Sequence, residues 1–228
     1  MTSTTAILFF TRSAWAETQH KTFATGKSNE AIAKRLIQRT RKIAHSSGLD
    51  VFETNDQQQG NTFGERLNYA IQKVFDKGYQ QVIAIGNDSP QLTTQDILEA
   101  VQQLHNNNLV IGPSQDGGIY LLGIHKDYFQ SSLFIALDWQ TSNLLNSFKT
   151  YIQEINGQLA ELATLQDVDT ALDLQQLLSK LKGLAIRFYT ILWQLVQVSY
   201  APIATRSITI TGKFYLANTS LRAPPRPY

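Results

Sequence analysis

Short apolar runs alternate with longer amphipathic stretches through residues 5–181, and this alternation constrains the fold more than any other feature. Residues 6–10 are wholly apolar, as expected of a strand covered on both faces. Residues 81–85, 109–111 and 119–124 repeat the pattern, 51–52 mark a weaker strand, and 159–165 close the series. Between them lie helical periodicities. Residues 29–45 carry Ile32, Leu36 and Ile43 inward, and 64–77 carry Leu67, Ile71, Val74 and Phe75 before Gly78. Thr93-Thr94-Gln95-Asp96 opens a helix carrying Ile97, Val101 and Leu104. Residues 141–155 present Leu144, Leu145, Phe148 and Ile152, and 171–181 form a closing helix. Strands separated by helices predict an α/β fold with a mostly parallel sheet covered on both faces.

The chain has 228 residues and no cysteine, which excludes disulfide scaffolds, thiol nucleophiles and cysteine zinc sites. Its four histidines show no metal-ligand spacing. There is neither a G-x-S-x-G elbow nor a G-x-G-x-x-G at the first helix, which argues against an α/β-hydrolase and a dinucleotide fold. The start has no basic region ahead of its apolar run, so no signal peptide is read and the cytoplasm is expected.

The formal charge of +2 hides an asymmetry: residues 183–228 hold five bases and no acid, and the preceding 182 residues total −3. Two units are expected, a nucleotide-binding domain over 1–182 and a basic C-terminal extension over 183–228. Five dispersed charges are too few for nucleic acid. The extension would fold over the acidic body near a ligand, or join a second subunit in a homo-oligomer. Within it, 184–198 reads as helix or strand, 208–216 as a hairpin and 223–228 as extended chain. Residues 184–204 are too interrupted by Arg187, Gln194, Gln197 and Pro202 to make a transmembrane segment.

Three loops at predicted strand ends carry carboxylates, the position where open parallel sheets bind ligands. Asp88 follows the strand at 81–85, and either holds a divalent cation against phosphate or shapes a turn. Asp116 precedes Gly117 and Gly118, either as a carboxylate beside a close-approach loop or as part of an Asp-Gly hairpin. Asp167 and Asp169 stand two apart, which in extended chain places both on one face, although Asp169 also suits a helix N-cap. The first loop supplies the cations Arg12, His20, Lys21 and Lys27, and its Gly-Lys-Ser fails as a P-loop because Lys21 occupies the earlier glycine position. Gly64 and Arg66 open the second helix, where backbone N–H groups favour anions and Arg66 would add a bidentate contact.

Residues 86–92 (Gly-Asn-Asp-Ser-Pro-Gln-Leu), 112–123 (Gly-Pro-Ser-Gln-Asp-Gly-Gly-Ile-Tyr-Leu-Leu-Gly) and 167–170 (Asp-Val-Asp-Thr) occur in that order. Together they resemble a bacterial family of glycosyltransferase-A-like proteins, described as nucleotide-diphospho-sugar transferases and related to 2-phospholactate guanylyltransferase. That family's patterns are close to G-T-D-C-P-x-L, G-P-x-x-D-G-G-Y-Y-L-I-G and D-x-D-T. Phe63-Gly64-Glu65-Arg66-Leu67 matches its helix opening, and Trp139 with Thr141 its W-x-T. The resemblance implies a Rossmann-like three-layer sandwich that binds a nucleotide or nucleotide sugar through Mg²⁺ or Mn²⁺. Asp88 would bind the metal with Asp169 as a second contact, and Asp116 would face the transferred group as the catalytic carboxylate. Arg12, Lys21, Gly64, Arg66, Gly117 and Gly118 would meet the nucleotide and its phosphates. The first loop departs from the family's P-G-x-x-K-T-R-L: residues 16–23 keep Lys21-Thr22 but lack the glycine, and Phe23 replaces the arginine. The expected activity is metal-dependent glycosyl transfer to an unspecified acceptor. The alternatives are nucleotidyl transfer with pyrophosphate release, and a catalytically degenerate binding protein.

Overall fold

The computed structural model describes residues 4–180 together with 188, 190–192 and 194–196. Six strands form one sheet: β1 (Thr5–Phe9), β2 (Asp50–Glu53), β3 (Gln81–Ile85), β4 (Leu109–Pro113), β5 (Ile119–His125) and β6 (Leu159–Glu161). Their spatial order is β2-β1-β3-β5-β4-β6. β1 pairs in parallel with β2 and β3, and β4 with β6, whereas β5 runs antiparallel to both β3 and β4. The sheet is therefore mostly parallel, as expected, with one reversed strand. The reversal comes from the hairpin at 114–118, so the hairpin alternative for Asp116 describes the chain there.

Alternation along the strands builds two cores. Ala6, Leu8, Val82 and Ala84 face one side, against Leu67, Ile71 and Val74 of α3 (Phe63–Phe75) and Phe148, Tyr151 and Ile152 of α6 (Leu144–Glu154). Ile7, Phe9, Ile83 and Ile85 face the other, against Ile37 and Ala44 of α2 (Lys27–His45) and Ile97, Ala100 and Leu104 of α4 (Thr94–Leu104). Capping boxes start α3 (Thr62 with Glu65) and α4 (Thr93 with Asp96). Two short helices have no counterpart in the sequence reading: α1 (Ala14–Glu17) and α5 (Ser131–Ile135). Neither is long enough to show a period. α6 starts at Leu144, not 141, because Thr141 turns the chain, accepting from Asn143 N and donating to Asp138 O.

β6 ends at Glu161, short of the expected 165. Beyond it the chain crosses the sheet edge in single contacts: Ser114 bridges Leu165, Val168 N donates to Asp88 O, and Thr22 bridges Thr170. Thr170, not Asp169, caps α7 (Ala171–Lys180), its hydroxyl accepting from Asp173 N. A third core joins Ile32 and Leu36 of α2, Leu174 and Leu177 of α7, and Leu192 and Val196. The seven described residues past 187 are helical, and Arg39 lies 5.0 Å from the Phe188 ring centroid. Compact packing thus continues past residue 182. The expected hairpin at 208–216 and extended end at 223–228 lie outside the described residues. Among the described residues no helix is long and apolar enough to cross a membrane.

Candidate active site

A cleft of about 290 Å³ opens where β1 and β3 end and the reversed β5 begins. Residues 10–12, 85–88 and 118–122 line it, with Glu17, Lys21, Gln58, Arg66, Trp139 and Asp167 around the rim and walls. This is the carboxyl edge of the parallel strands, where the fold leaves backbone and loop side chains for ligands.

One wall is built of paired charges. The Lys21 ammonium touches Asp88 Oδ1, lies 3.0 Å from Asp169 Oδ1 and 3.8 Å from Glu17 Oε2. Its side chain is 12% exposed, against 41% for Asp88 and 51% for Asp169, so the lysine is the enclosed partner. Burial opposes its charge, but Asp88 and then Asp169 outweigh burial and hold its pKa above the ordinary lysine value. Glu17 is pushed up, first by burial and then by Asp88. Asp167 is pushed up to about 6, mainly by burial; Ser89 donates to it and draws it back, and Asp88 adds repulsion.

Another part of the lining holds two guanidinium groups, Arg12 and Arg66, with no ion pair within 4 Å among the described residues, although Glu17 and Asp56 attract the first and Glu65 the second. Arg66 lowers its own charge preference through burial and the nearby Arg12 cation. Its Nη1 donates to Asn61 O at 3.1 Å, but its buried Nε has no hydrogen-bond partner among the described residues. Gln58 anchors to Thr11 O and Thr54 Oγ1 through Nε2, and its Oε1 is also buried without a partner. Lys21 Nζ and Asp88 Oδ1, although ion-paired, are likewise buried without a hydrogen bond of good geometry among the described residues, so four cleft atoms mark where something else binds.

The sequence candidates divide on this geometry. Arg12, Lys21, Arg66, Asp88 and Gly118 line the cleft; Asp116, Gly117, Gly64 and Asp169 do not. Asp116 is exposed, and its Oδ1 accepts from Ser114 Oγ at 2.6 Å and Gly118 N at 3.0 Å, which shapes the hairpin. Gly117 supplies the turn's positive φ of 92°. Gly64 is buried under Trp139, where a Cβ would lie 2.5 Å from Cδ1, so its glycine serves packing. The α3 start is also occupied, since Glu65 accepts from Asn61 N and Thr62 N. Asp169 is reached by Lys21 from outside the cleft. Several cleft residues had no role assigned from the sequence, Glu17, Gln58 and Asp167 among them. For Glu17 a signal existed, its i, i+4 spacing to Lys21.

A divalent cation would require the carboxylates that Lys21 already holds. Two aspartate oxygens are suitable hard ligands, and Mg²⁺ often needs no more than that from protein. However, the ammonium stands between them, and no group of three or more His, Cys, Asp or Glu among the described residues could hold a metal. As packed, the residues do not fit Mg²⁺ or Mn²⁺.

A family model described as an uncharacterized protein conserved in bacteria, DUF2064, matches residues 16–141, more than half the chain. The chain belongs to that family. No curated protein matches the sequence. Among solved structures, a protein from Desulfovibrio desulfuricans G20, provisionally described as a nucleotide-diphospho-sugar transferase, superposes with a TM-score of 0.77 at 24% identity. The match covers 86% of this chain and 98% of that one, and it shows that this DUF2064 chain has the nucleotide-diphospho-sugar transferase fold. Two weaker likenesses carry no argument. Rv0371c of Mycobacterium tuberculosis H37Rv, solved with manganese, has a TM-score of 0.45 at 14% identity, covering 78% and 98%. CMP:2-keto-3-deoxy-manno-octonic acid synthetase with CTP has 0.42 at 13%, covering 76% and 96%.

Proposed function

We propose that this DUF2064 chain transfers a glycosyl group from a nucleotide-diphospho-sugar to an acceptor hydroxyl. The observation that carries this reading is the buried Arg66 Nε, without a hydrogen-bond partner among the described residues, beside Arg12 at the carboxyl edge of the sheet. Two guanidinium groups held close despite their repulsion suit a diphosphate, which relieves that repulsion on binding. In the transfer, the acceptor oxygen forms a bond to the anomeric carbon and the bond from that carbon to the diphosphate oxygen breaks. The departing diphosphate takes the electron pair, and Arg12 and Arg66 stabilise the charge it develops. Asp167 takes the hydroxyl proton: it lines the cleft, and with a pKa of about 6 it is ionised yet basic near neutrality.

Thermal shifts with nucleoside diphosphates and nucleotide sugars, on wild type and Arg66→Gln, test this. A ligand at about 100 times its dissociation constant adds about 2.7 kcal/mol, and the gain should fall by about half or more in the variant. Absence of any shift across the panel would sink the proposal. Product analysis decides the chemistry: a released nucleoside diphosphate marks sugar transfer, whereas inorganic pyrophosphate marks nucleotidyl transfer.

A further inference from the structure

We infer that the Lys21 ammonium takes the place of a divalent cation in this cleft, so that a nucleotide diphosphate binds without metal. This rests on reading the cleft as a nucleotide site, and it departs from the metal dependence expected of the sequence.

The first ground is the donor set around Nζ. Oxygens of Asp88 and Asp169 meet at one point, with Glu17 Oε2 farther off at 3.8 Å, so the two hard oxygens a divalent cation would need here are the ones the ammonium holds. A metal at that point would overlap the nitrogen, so lysine and metal exclude one another.

The second ground is that the lysine is fixed by backbone contacts on both sides. Asn29 Nδ2 donates to Lys21 O at 3.0 Å, and Asn29 Oδ1 accepts from Phe23 N at 2.8 Å. Thr22 N donates to Asp169 O at 3.1 Å, and Ala171 N donates to Thr22 O at 3.0 Å. The strand-like clasp joins the backbone of Thr22, the residue after the lysine, to the segment bearing one of its carboxylate partners. Withdrawing Nζ to admit a metal would leave a nearly enclosed ammonium to find other partners.

The third ground is position. Lys21 and Asp88 both line the cleft that Arg12 and Arg66 also line. The ammonium therefore offsets carboxylate charge at the cleft lining, where a bound cation would otherwise keep Asp88 and Asp169 from repelling a diphosphate.

Mn²⁺ alone, followed by the electron paramagnetic resonance of the free ion, tests the exclusion without any nucleotide. The full chain is compared with Lys21→Met and Lys21→Arg. Wild type and Lys21→Arg should leave Mn²⁺ free, and Lys21→Met should bind it at least tenfold more tightly. Wild type binding Mn²⁺ as tightly as Lys21→Met would overturn the inference, as would a folded Lys21→Met that takes up none. If Lys21→Met does not fold, uptake by wild type overturns it and absence of uptake by both wild type and Lys21→Arg supports it. In a second arm, the thermal shift given by a nucleoside diphosphate should be equal in EDTA and in Mn²⁺. A shift lost in EDTA overturns the inference and leaves the proposed function standing. No shift in either condition defeats the proposed function, and the Mn²⁺ arm still decides the role of Lys21.

Discussion

On one wall of the cleft Lys21 touches or approaches three carboxylates, whereas on another Arg12 and Arg66 repel one another and Arg66 Nε has no hydrogen-bond partner among the described residues. Both walls are charged and partly buried, yet they serve different ends. The paired wall spends its charge internally, as a structural cluster does, and its loss should be felt in folding. The unpaired wall keeps charge in reserve, at a cost in stability, and its loss should be felt in binding. Strained or unsatisfied groups are the ones that point to a ligand.

The sharpest way to break this contrast is Lys21→Met. Removing one partner of a buried cluster leaves the others uncompensated, and with Asp88 and Asp169 half-exposed the expected loss is about 2–3 kcal/mol. Urea unfolding measures it, and a change under about 0.5 kcal/mol would show that the wall is not held by the lysine. Next in size, Arg66→Gln should weaken a nucleoside diphosphate at least tenfold, about 1.4 kcal/mol, by calorimetric titration. Its own unfolding should be unchanged or slightly harder, because the Arg12 repulsion is relieved. An equal loss of stability in both variants would erase the contrast.

Asp167→Asn sharpens the comparison through pH. The folded protein holds this carboxyl's proton more tightly than the unfolded chain, since its pKa rises from 3.8 to about 6. The stability it contributes is present below about pH 4 and is lost as pH rises through about 6. The variant should flatten that decline by about 1–2 kcal/mol, seen in unfolding at about pH 4.5 and about pH 7. Parallel curves for variant and wild type would show that Asp167 is not desolvated. The smallest effect is ionic. Raising salt from about 0.05 M to about 0.5 M should weaken nucleotide binding about threefold, while the Lys21→Met penalty changes little, because enclosed pairs are less screened.

How much of this was legible follows from which residues carry a pattern. β3 was read at its observed bounds, and the faces of α3 and α4 followed from apolar spacing that packing preserves. The direction of β5 was not, because an apolar run reads the same whichever way the strand lies; only the Asp-Gly turn hinted at it. Asp88 was expected at a ligand site from its place at a strand end, Arg12 and Lys21 from the first loop, and Arg66 from the opening of a helix, and all four line the cleft. Asp167 and Asp169 were not separated, because their spacing implied one face of a strand. The chain there is held by isolated bridges, so one lines the cleft and the other sits half-exposed against Lys21. Glu17 was missed because α1 is a single turn, too short to announce itself.

The clasp between Thr22 and Thr170 also governs the order of assembly. It joins positions near the two ends of the described body, a contact of very high sequence separation that cannot form until both ends are present. A chain still emerging from the ribosome can have β1, α2 and β3 in place and yet lack the segment that holds Lys21. The cleft is thus finished last, and a nascent chain would not capture its ligand before the fold around it is complete.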